Sequence, residues 1–210
     1  MGPAAMTREG IIHFRCVWQR KRNPSSFCGL GSLVKVRGRL MALGLLGVDP
    51  GGIGYGNLSV RARGGGFWIT GSQTGGVRQS SPKIFTRVSG CEIAKNRVRC
   101  EGPVPASSET LTHAAVYEAW PLSRSVIHVH DRSVWKRLHG RWPGTSPRAA
   151  YGSVALAKEI RRLCRRPEVR RKKVLVMRGH PDGILVFGRS AREALHRLLE
   201  IHRRFPAFRG

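Results

Sequence analysis

Acidic residues are scarce in this chain of 210 residues, where 12 aspartates and glutamates stand against 38 lysines and arginines. Long apolar runs are absent too. The longest candidate, residues 41–48, has eight residues, two of them glycine, whereas a membrane helix requires roughly 18. The five cysteines are scattered without a C-x-x-C pair, which argues against a disulfide framework or a thiolate zinc site. These absences predict a cytoplasmic globular protein with no membrane segment.

The formal net charge of +26 is the most prominent positive feature. Such a surplus is typical of proteins that bind nucleic acid or another polyanion. The basic residues are spread along the chain, however, and the densest stretch, residues 161–173, carries no zinc-finger, RNP-type or helix-turn-helix pattern. Nucleic-acid binding is therefore an alternative, and a basic solvated surface is the favoured interpretation.

The length is that of one domain with, at most, an appendage. Residues 1–26 are predicted to form a basic, flexible N-terminal arm, because residues 19–26 are polar and lack periodicity, and residues 27–210 are predicted to form the domain. Apolar spacing and short apolar runs predict an α/β or α+β domain. The predicted helices span 33–46, the stretch between Glu109 and Pro121, 154–163 and 190–202, and the predicted strands span 58–60, 67–70, 84–88, 97–100, 125–129, 173–177 and 184–187.

Three histidines and one glutamate stand where chemistry is expected. His128 and His130 end an apolar strand, where residues i and i+2 point to the same face, so both imidazoles aim at one point. His180 follows another apolar strand and could complete a three-histidine metal site with an open coordination position. Glu109 begins a helix after two serines. Taken singly these residues also fit a core pair, a turn and a helix-start acid, but together they favour a metal site.

Five motifs, in order, resemble the class II aldolase/adducin family over about residues 40–199. They read GYGNLSVR at 54–61, WITGSQTG at 68–75, PASSET at 105–110, VIHVH at 126–130 and GHPDGILVFG at 179–188. The resemblance implies a single three-layer α/β/α domain with a largely antiparallel central sheet. It also implies a bound Zn²⁺, or another divalent metal such as Mn²⁺, Co²⁺ or Fe²⁺, and a homotetramer with active sites between subunits.

The resemblance also implies roles for individual residues. His128, His130 and His180 match the metal ligands, and Glu109 matches the acid/base glutamate beside the metal. The positions that bind substrate phosphate in phosphate-handling members fall on Asn57, Thr74, Gly75, Ser107 and Ser108. The loop after Ile69 is longer than is usual in the family, and Asp131 stands where a small polar residue is more common. His113 shares a helix face with Glu109; packing and support of the site are both open for it, and it is not counted as a site residue.

The implied function is a metal-dependent carbon–carbon lyase that cleaves a small sugar-derived hydroxy-carbonyl substrate, phosphorylated or not. Cleavage would leave an enediolate stabilised by the metal, with Glu109 transferring protons. Epimerase, decarboxylase and dehydratase activities use the same three-histidine site and remain alternatives. A non-enzymatic adducin-like or polyanion-binding role is less favoured, because all three histidines and Glu109 are present.

Overall fold

The computed structural model describes residues 11–206. The strands are β1 (Arg15–Arg20), β2 (Gly47–Val48), β3 (Gly54–Tyr55), β4 (Asn57–Arg61), β5 (Phe67–Thr70), β6 (Phe85–Glu92), β7 (Arg97–Gly102), β8 (Ser125–His130), β9 (Val174–Val176) and β10 (Gly183–Gly188). The helices are α1 (Leu30–Ala42), α2 (Thr110–Ala119), α3 (Arg132–Leu138), α4 (Val154–Leu163), α5 (Pro167–Lys172) and α6 (Ala191–Arg204). None of the helices in this part of the chain is long and apolar enough to span a membrane.

The central sheet is mixed and has the strand order β1-β7-β6-β5-β4-β8-β10-β9. The strand β1 pairs with β7 in parallel, and the other neighbours pair antiparallel. Short β2 and β3 form a separate antiparallel pair. The fold is therefore α/β as expected, but the sheet is not uniformly antiparallel.

Side chains along the central strands alternate between two apolar clusters. In β10, Leu185 and Phe187 belong to a cluster that includes residues of α2 and α4. Ile184 and Val186, which point the other way, belong to a cluster that includes residues of α1 and α6. This alternation follows from the two-residue period of a strand. Each fully buried aliphatic side chain contributes about 1.5–3 kcal/mol to folding, so the sheet that carries the histidines is anchored by both clusters.

The edge strand β1 differs from the sequence-based expectation, because it lies within the segment expected to be a flexible arm. Its main chain pairs with β7 from Arg15 opposite Arg97 to Arg20 opposite Gly102, and the Trp18 ring N–H donates to the Gly102 carbonyl at 3.0 Å. Most of its side chains are exposed. Main-chain hydrogen bonds hold this strand, and they leave no apolar pattern in the sequence. Residues 1–10 of the expected arm lie outside the described residues.

Candidate metal centre and active site

The ends of two paired strands bring His128, His130 and His180 together. His128 and His130 end β8, which pairs with β10. His180 lies in the tight turn before β10, where its N–H donates to Met177 O at 3.0 Å and its carbonyl accepts from Gly183 N at 2.9 Å. One nitrogen from each imidazole lies within 4.8 Å of the others. His128 and His180 are buried, and His130 is half-buried, so the cluster is reached from one side.

The three imidazoles fit a divalent metal such as zinc. Zinc–nitrogen bonds of about 2.0–2.1 Å in a tetrahedral site place ligand nitrogens about 3.3 Å apart, and His130 Nε2 lies 3.1 Å from His180 Nε2. His128 Nδ1 lies 3.3 Å from the Ile184 carbonyl, a contact that favours a proton on Nδ1 and leaves Nε2 as the ligand atom. The donor set is thus that of a three-histidine centre with one open position.

The Glu109 carboxylate is buried beside this cluster at the start of α2. Its Oε1 accepts from the Gly152 N–H at 2.9 Å and lies 3.9 Å from His180 Nδ1. Its Oε2 accepts from the Thr112 hydroxyl at 2.5 Å. Two donors therefore fix the carboxylate beside His180.

The sequence did not single out Thr112 or Gly152. The threonine could have been found from its spacing, since it follows Glu109 by three residues on one helix. The glycine lies 43 positions along the chain from Glu109, and no local pattern joins the two. Two aromatic rings were missed for the same reason: Tyr55 lies 5.2 Å from His130 and Tyr151 lies 5.0 Å from His180, between ring centroids.

A small polar pocket adjoins Glu109. All five residues that the resemblance matched to phosphate-binding positions line it, together with Glu109 itself: Asn57, Thr74, Gly75, Ser107 and Ser108. Asn57 lies directly opposite His128 in the β4–β8 ladder. The pocket and the histidine cluster are therefore neighbouring parts of one site.

Glycines allow the pocket wall after β5 to approach β3. A Cβ on Gly75 would lie 2.2 Å from the Gly47 carbonyl oxygen and 2.8 Å from Gly54 Cα, so no other residue fits there without displacing the backbone. The Thr74 hydroxyl donates to the Gly71 carbonyl at 2.8 Å and closes the loop upon itself. The loop after β5 is thus a compact wall of the pocket.

A buried chain of hydrogen bonds orients Asn57. Its Oδ1 lies 2.6 Å from His113 Nε2, His113 Nδ1 lies 2.7 Å from the Ser59 hydroxyl, and that hydroxyl lies 2.7 Å from the Tyr117 hydroxyl. Burial lowers the pKa of His113 to about 3 and raises the pKa of Tyr117. A neutral His113 then donates from Nε2 to Asn57 and accepts at Nδ1, which leaves the Asn57 NH₂ as the donor available to the pocket.

The spacing of residues in the sequence contained a signal for this series of hydrogen bonds. Glu109, His113 and Tyr117 recur every four residues and so lie on one face of α2. His113 supports the site by holding Asn57, one of the two roles that the sequence left open. Ser59 could not be anticipated, because it reaches His113 from β4 across 54 positions.

Solved structures with similar folds include three bacterial proteins. The L-fuculose-1-phosphate aldolase of Thermus thermophilus is 22% identical, with a TM-score of 0.61 over 83% of this chain and 89% of that one. YgbL of Klebsiella pneumoniae, described as an aldolase, epimerase or decarboxylase, is 18% identical, with a TM-score of 0.60 over 82% and 84%. The sugar-phosphate aldolase of Thermotoga maritima is 15% identical, with a TM-score of 0.60 over 83% and 90%. These likenesses establish a shared fold.

The family assignment comes from the sequence itself. No curated protein matches the chain significantly. The family model for the class II aldolase and adducin N-terminal domain, however, matches residues 43–207, a span that includes all three histidines, Glu109 and the pocket residues. The chain belongs to the class II aldolase/adducin family.

Proposed function

We propose that this protein is a metal-dependent carbon–carbon lyase that cleaves a small sugar-derived hydroxy-carbonyl compound. The observation that carries the proposal is the buried Glu109 carboxylate, 3.9 Å from His180 at the edge of the three-histidine cluster. Family members of similar fold named as sugar-phosphate aldolases support a carbohydrate substrate.

His128, His130 and His180 would hold the metal. A bound Zn²⁺, Mn²⁺, Co²⁺ or Fe²⁺ supplies a Lewis acid that stabilises negative charge on substrate oxygens. The histidines are held by β8 and by the turn before β10, and Glu109 lies beside them, 3.9 Å from His180 Nδ1.

Glu109 is the proton-transfer group of the proposed reaction. Carbon–carbon cleavage needs a group that moves a proton to or from the reacting carbon. The hydrogen bonds from Thr112 and Gly152 prevent the carboxylate from turning away, so Oε1 stays 3.9 Å from His180 Nδ1. The buried surroundings keep bulk water from competing for that proton.

The adjoining pocket is proposed to bind the negatively charged end of the substrate. Hydroxyls of Ser107 and Ser108 at the start of α2, and backbone groups of a glycine loop, are a typical anion-binding arrangement. The Asn57 amide adds a donor that the His113 chain orients. A phosphate ester is the substrate group that this set of donors suits best.

The layer arrangement, the cellular location, the metal and the oligomeric state belong to the same proposal. We take the two groups of helices on opposite faces of the sheet as the three-layer arrangement of the family. The scattered cysteines support a cytoplasmic location and the histidine set supports Zn²⁺, while the homotetramer rests on the family resemblance. A non-enzymatic role is less favoured, since such a role needs no buried carboxylate beside three histidines.

The test is product analysis on zinc-reconstituted protein over a panel of sugar phosphates and hydroxy acids. An aldehyde plus a shorter carbonyl fragment supports the lyase. A C-epimer, carbon dioxide or loss of water would instead assign the epimerase, decarboxylase or dehydratase alternative.

The role of Glu109 is tested on the active substrate. Glu109→Gln should lower turnover by about 10²–10⁴-fold with metal content unchanged. Glu118→Gln, on the exposed face of the same helix, should leave turnover unchanged. Equal turnover of Glu109→Gln and wild type would contradict the proposed role.

A further inference from the structure

An arginine of α1 lies fully buried behind the pocket loop. Arg37 has no exposed surface. Its Nη1 donates to the Val77 carbonyl at 2.6 Å and to the Ser80 hydroxyl at 3.1 Å. Its Nη2 donates to the Thr74 carbonyl at 2.7 Å and to the Gly75 carbonyl at 3.3 Å. All four acceptors belong to the loop that follows β5, and Thr74 and Gly75 line the pocket.

The charge of Arg37 is not neutralised by a carboxylate. Within residues 11–206 it makes no ion pair, and burial lowers its pKa. A guanidinium remains protonated at neutral pH even so. Burial of an unpaired cation is costly, and its field in a poorly solvated region reaches farther than a surface charge would. The pocket therefore lies next to a positive charge that solvent does not screen.

The hydrogen bonds of Arg37 also set the direction of the loop peptides. In a trans peptide the N–H points opposite to the carbonyl of the same unit. The Thr74 and Gly75 carbonyls point at the guanidinium, so the N–H groups of Gly75 and Gly76 point away from it. Close contact of Gly75 with Gly54 and Gly47 holds the loop against movement. The loop is thereby fixed with amide donors on the side away from the arginine.

We infer that Arg37 is a positioning residue for anion recognition: it holds the Thr74 and Gly75 carbonyls so that the amides of Gly75 and Gly76 are directed to the ligand, and its buried charge biases the pocket toward a doubly charged phosphate ester. The inference rests on the proposed function of the pocket and narrows the substrate class to phosphorylated compounds. Arg37 itself does not touch the ligand.

The experiment compares the binding of inorganic phosphate to zinc-loaded wild type, Arg37→Gln and Arg37→Lys by titration calorimetry. Arg37→Gln should weaken phosphate binding by at least about tenfold, with metal content unchanged. Arg37→Lys keeps the charge but lacks the planar guanidinium, so its phosphate affinity should lie between those of wild type and Arg37→Gln. Unchanged phosphate affinity in a folded Arg37→Gln protein would overturn the inference, because a purely structural tie would lower only the thermal stability.

Arg170→Gln is the matched control. Arg170 is also a partly buried arginine tied to two carbonyls, those of Cys164 and Ala119, both at 3.0 Å, but it does not line the pocket. Its loss should leave phosphate affinity unchanged, and an equal loss of affinity in this variant would overturn the specific role of Arg37.

Hydrogen exchange on the wild type provides a test that needs no substitution. Phosphate should protect the amides of Gly75 and Gly76, and a lack of protection while phosphate binds would overturn the inference even if neither Arg37 variant folds. The failures are distinguishable: if the wild type does not bind phosphate, the proposed anion pocket and the inference both fail. If all variants bind it equally, only the inference about Arg37 fails.

Discussion

His113 and Asn57 show how single side chains set the polarity of this site. A histidine in water carries a proton below a pH of about 6.5, but burial lowers the pKa of His113 to about 3. It therefore stays neutral over the working range and keeps one donor nitrogen and one acceptor nitrogen. The donor and acceptor roles are therefore fixed along the hydrogen bonds that link Tyr117, Ser59, His113 and Asn57, and they orient the Asn57 amide.

The shifted pKa makes a prediction about stability. The unfolded chain takes up a proton at position 113 below pH 6.5, whereas the folded chain does so only near pH 3. Stability should thus fall as pH drops through this window, and this one group should cost about 2 kcal/mol at pH 5 relative to pH 7. Urea unfolding of His113→Gln should show a smaller loss between these pH values than the wild type. His196→Gln, at an exposed position of α6, should retain the wild-type loss, and an equal slope in His113→Gln would show that His113 is not buried neutral.

Among single residues, the sequence identified the candidate site residues more completely than the residues that hydrogen-bond to them. The three histidines, Glu109 and the five pocket residues were named from motifs, and the structure places them in one region, although their roles stay predictions. Thr112 and His113 were within reach of helical spacing. Gly152 and Arg37 were not, because their contacts join segments distant in sequence and exist only once the chain has folded.

Among the elements, those with apolar periodicity were predicted and those without it were missed. The helix α6 and the strands β8 and β10 agree closely with the sequence-based ranges. The helix α1 ends at Ala42, earlier than expected, because Gly44 takes a φ of +68° that a helix cannot continue. The short helix α3 begins at the Asp131 cap, α5 begins with Pro167 and β1 is held by sheet pairing, and none of these leaves a periodic apolar signal.

Asp131, directly after β8, contacts two helices, and its substitution tests how much these contacts stabilise the fold. Its Oδ1 accepts from Val134 N at 3.0 Å and caps α3, and its Oδ2 lies 2.6 Å from His202 Nδ1 in α6. Asp131→Ala should lower the free energy of unfolding by about 2 kcal/mol through loss of the cap and of a charge-assisted hydrogen bond. Asp131→Asn, which can still cap the helix, should lose less. Denaturant unfolding measures both, and a change below about 0.5 kcal/mol for Asp131→Ala would show that these contacts contribute little.

For the molecule as a whole, the excess of positive charge is distributed over many elements. Some of the few acids pair with more than one cation. Glu92, for example, pairs with Lys95, Arg97 and Arg99, and hydrogen bonds from Lys95 and Arg97 lower its pKa to about 2. The densest basic stretch, residues 161–173, falls on the end of α4 and on α5. No nucleic-acid-binding motif accompanies it.

This distribution predicts polyanion binding without sequence preference. Affinity for duplex DNA should fall linearly on a log–log plot with salt, because it arises from release of counterions. Binding should be weak at about 0.15 M salt and equal for unrelated sequences. Fluorescence anisotropy over a salt series measures this, and tight, sequence-selective binding at that salt would instead point to a dedicated nucleic-acid function.

The metal content of the purified protein tests the central claim most directly. Elemental mass spectrometry should be applied after zinc reconstitution to the wild type, His128→Ala and His180→Ala, with His196→Ala as the control for loss of an exposed histidine. The account predicts about one divalent metal per chain in wild type and control, and its loss from both site variants while they remain folded. Failure of the wild type to retain a divalent metal, or equal retention by the site variants, would contradict the three-histidine centre and the lyase function built on it.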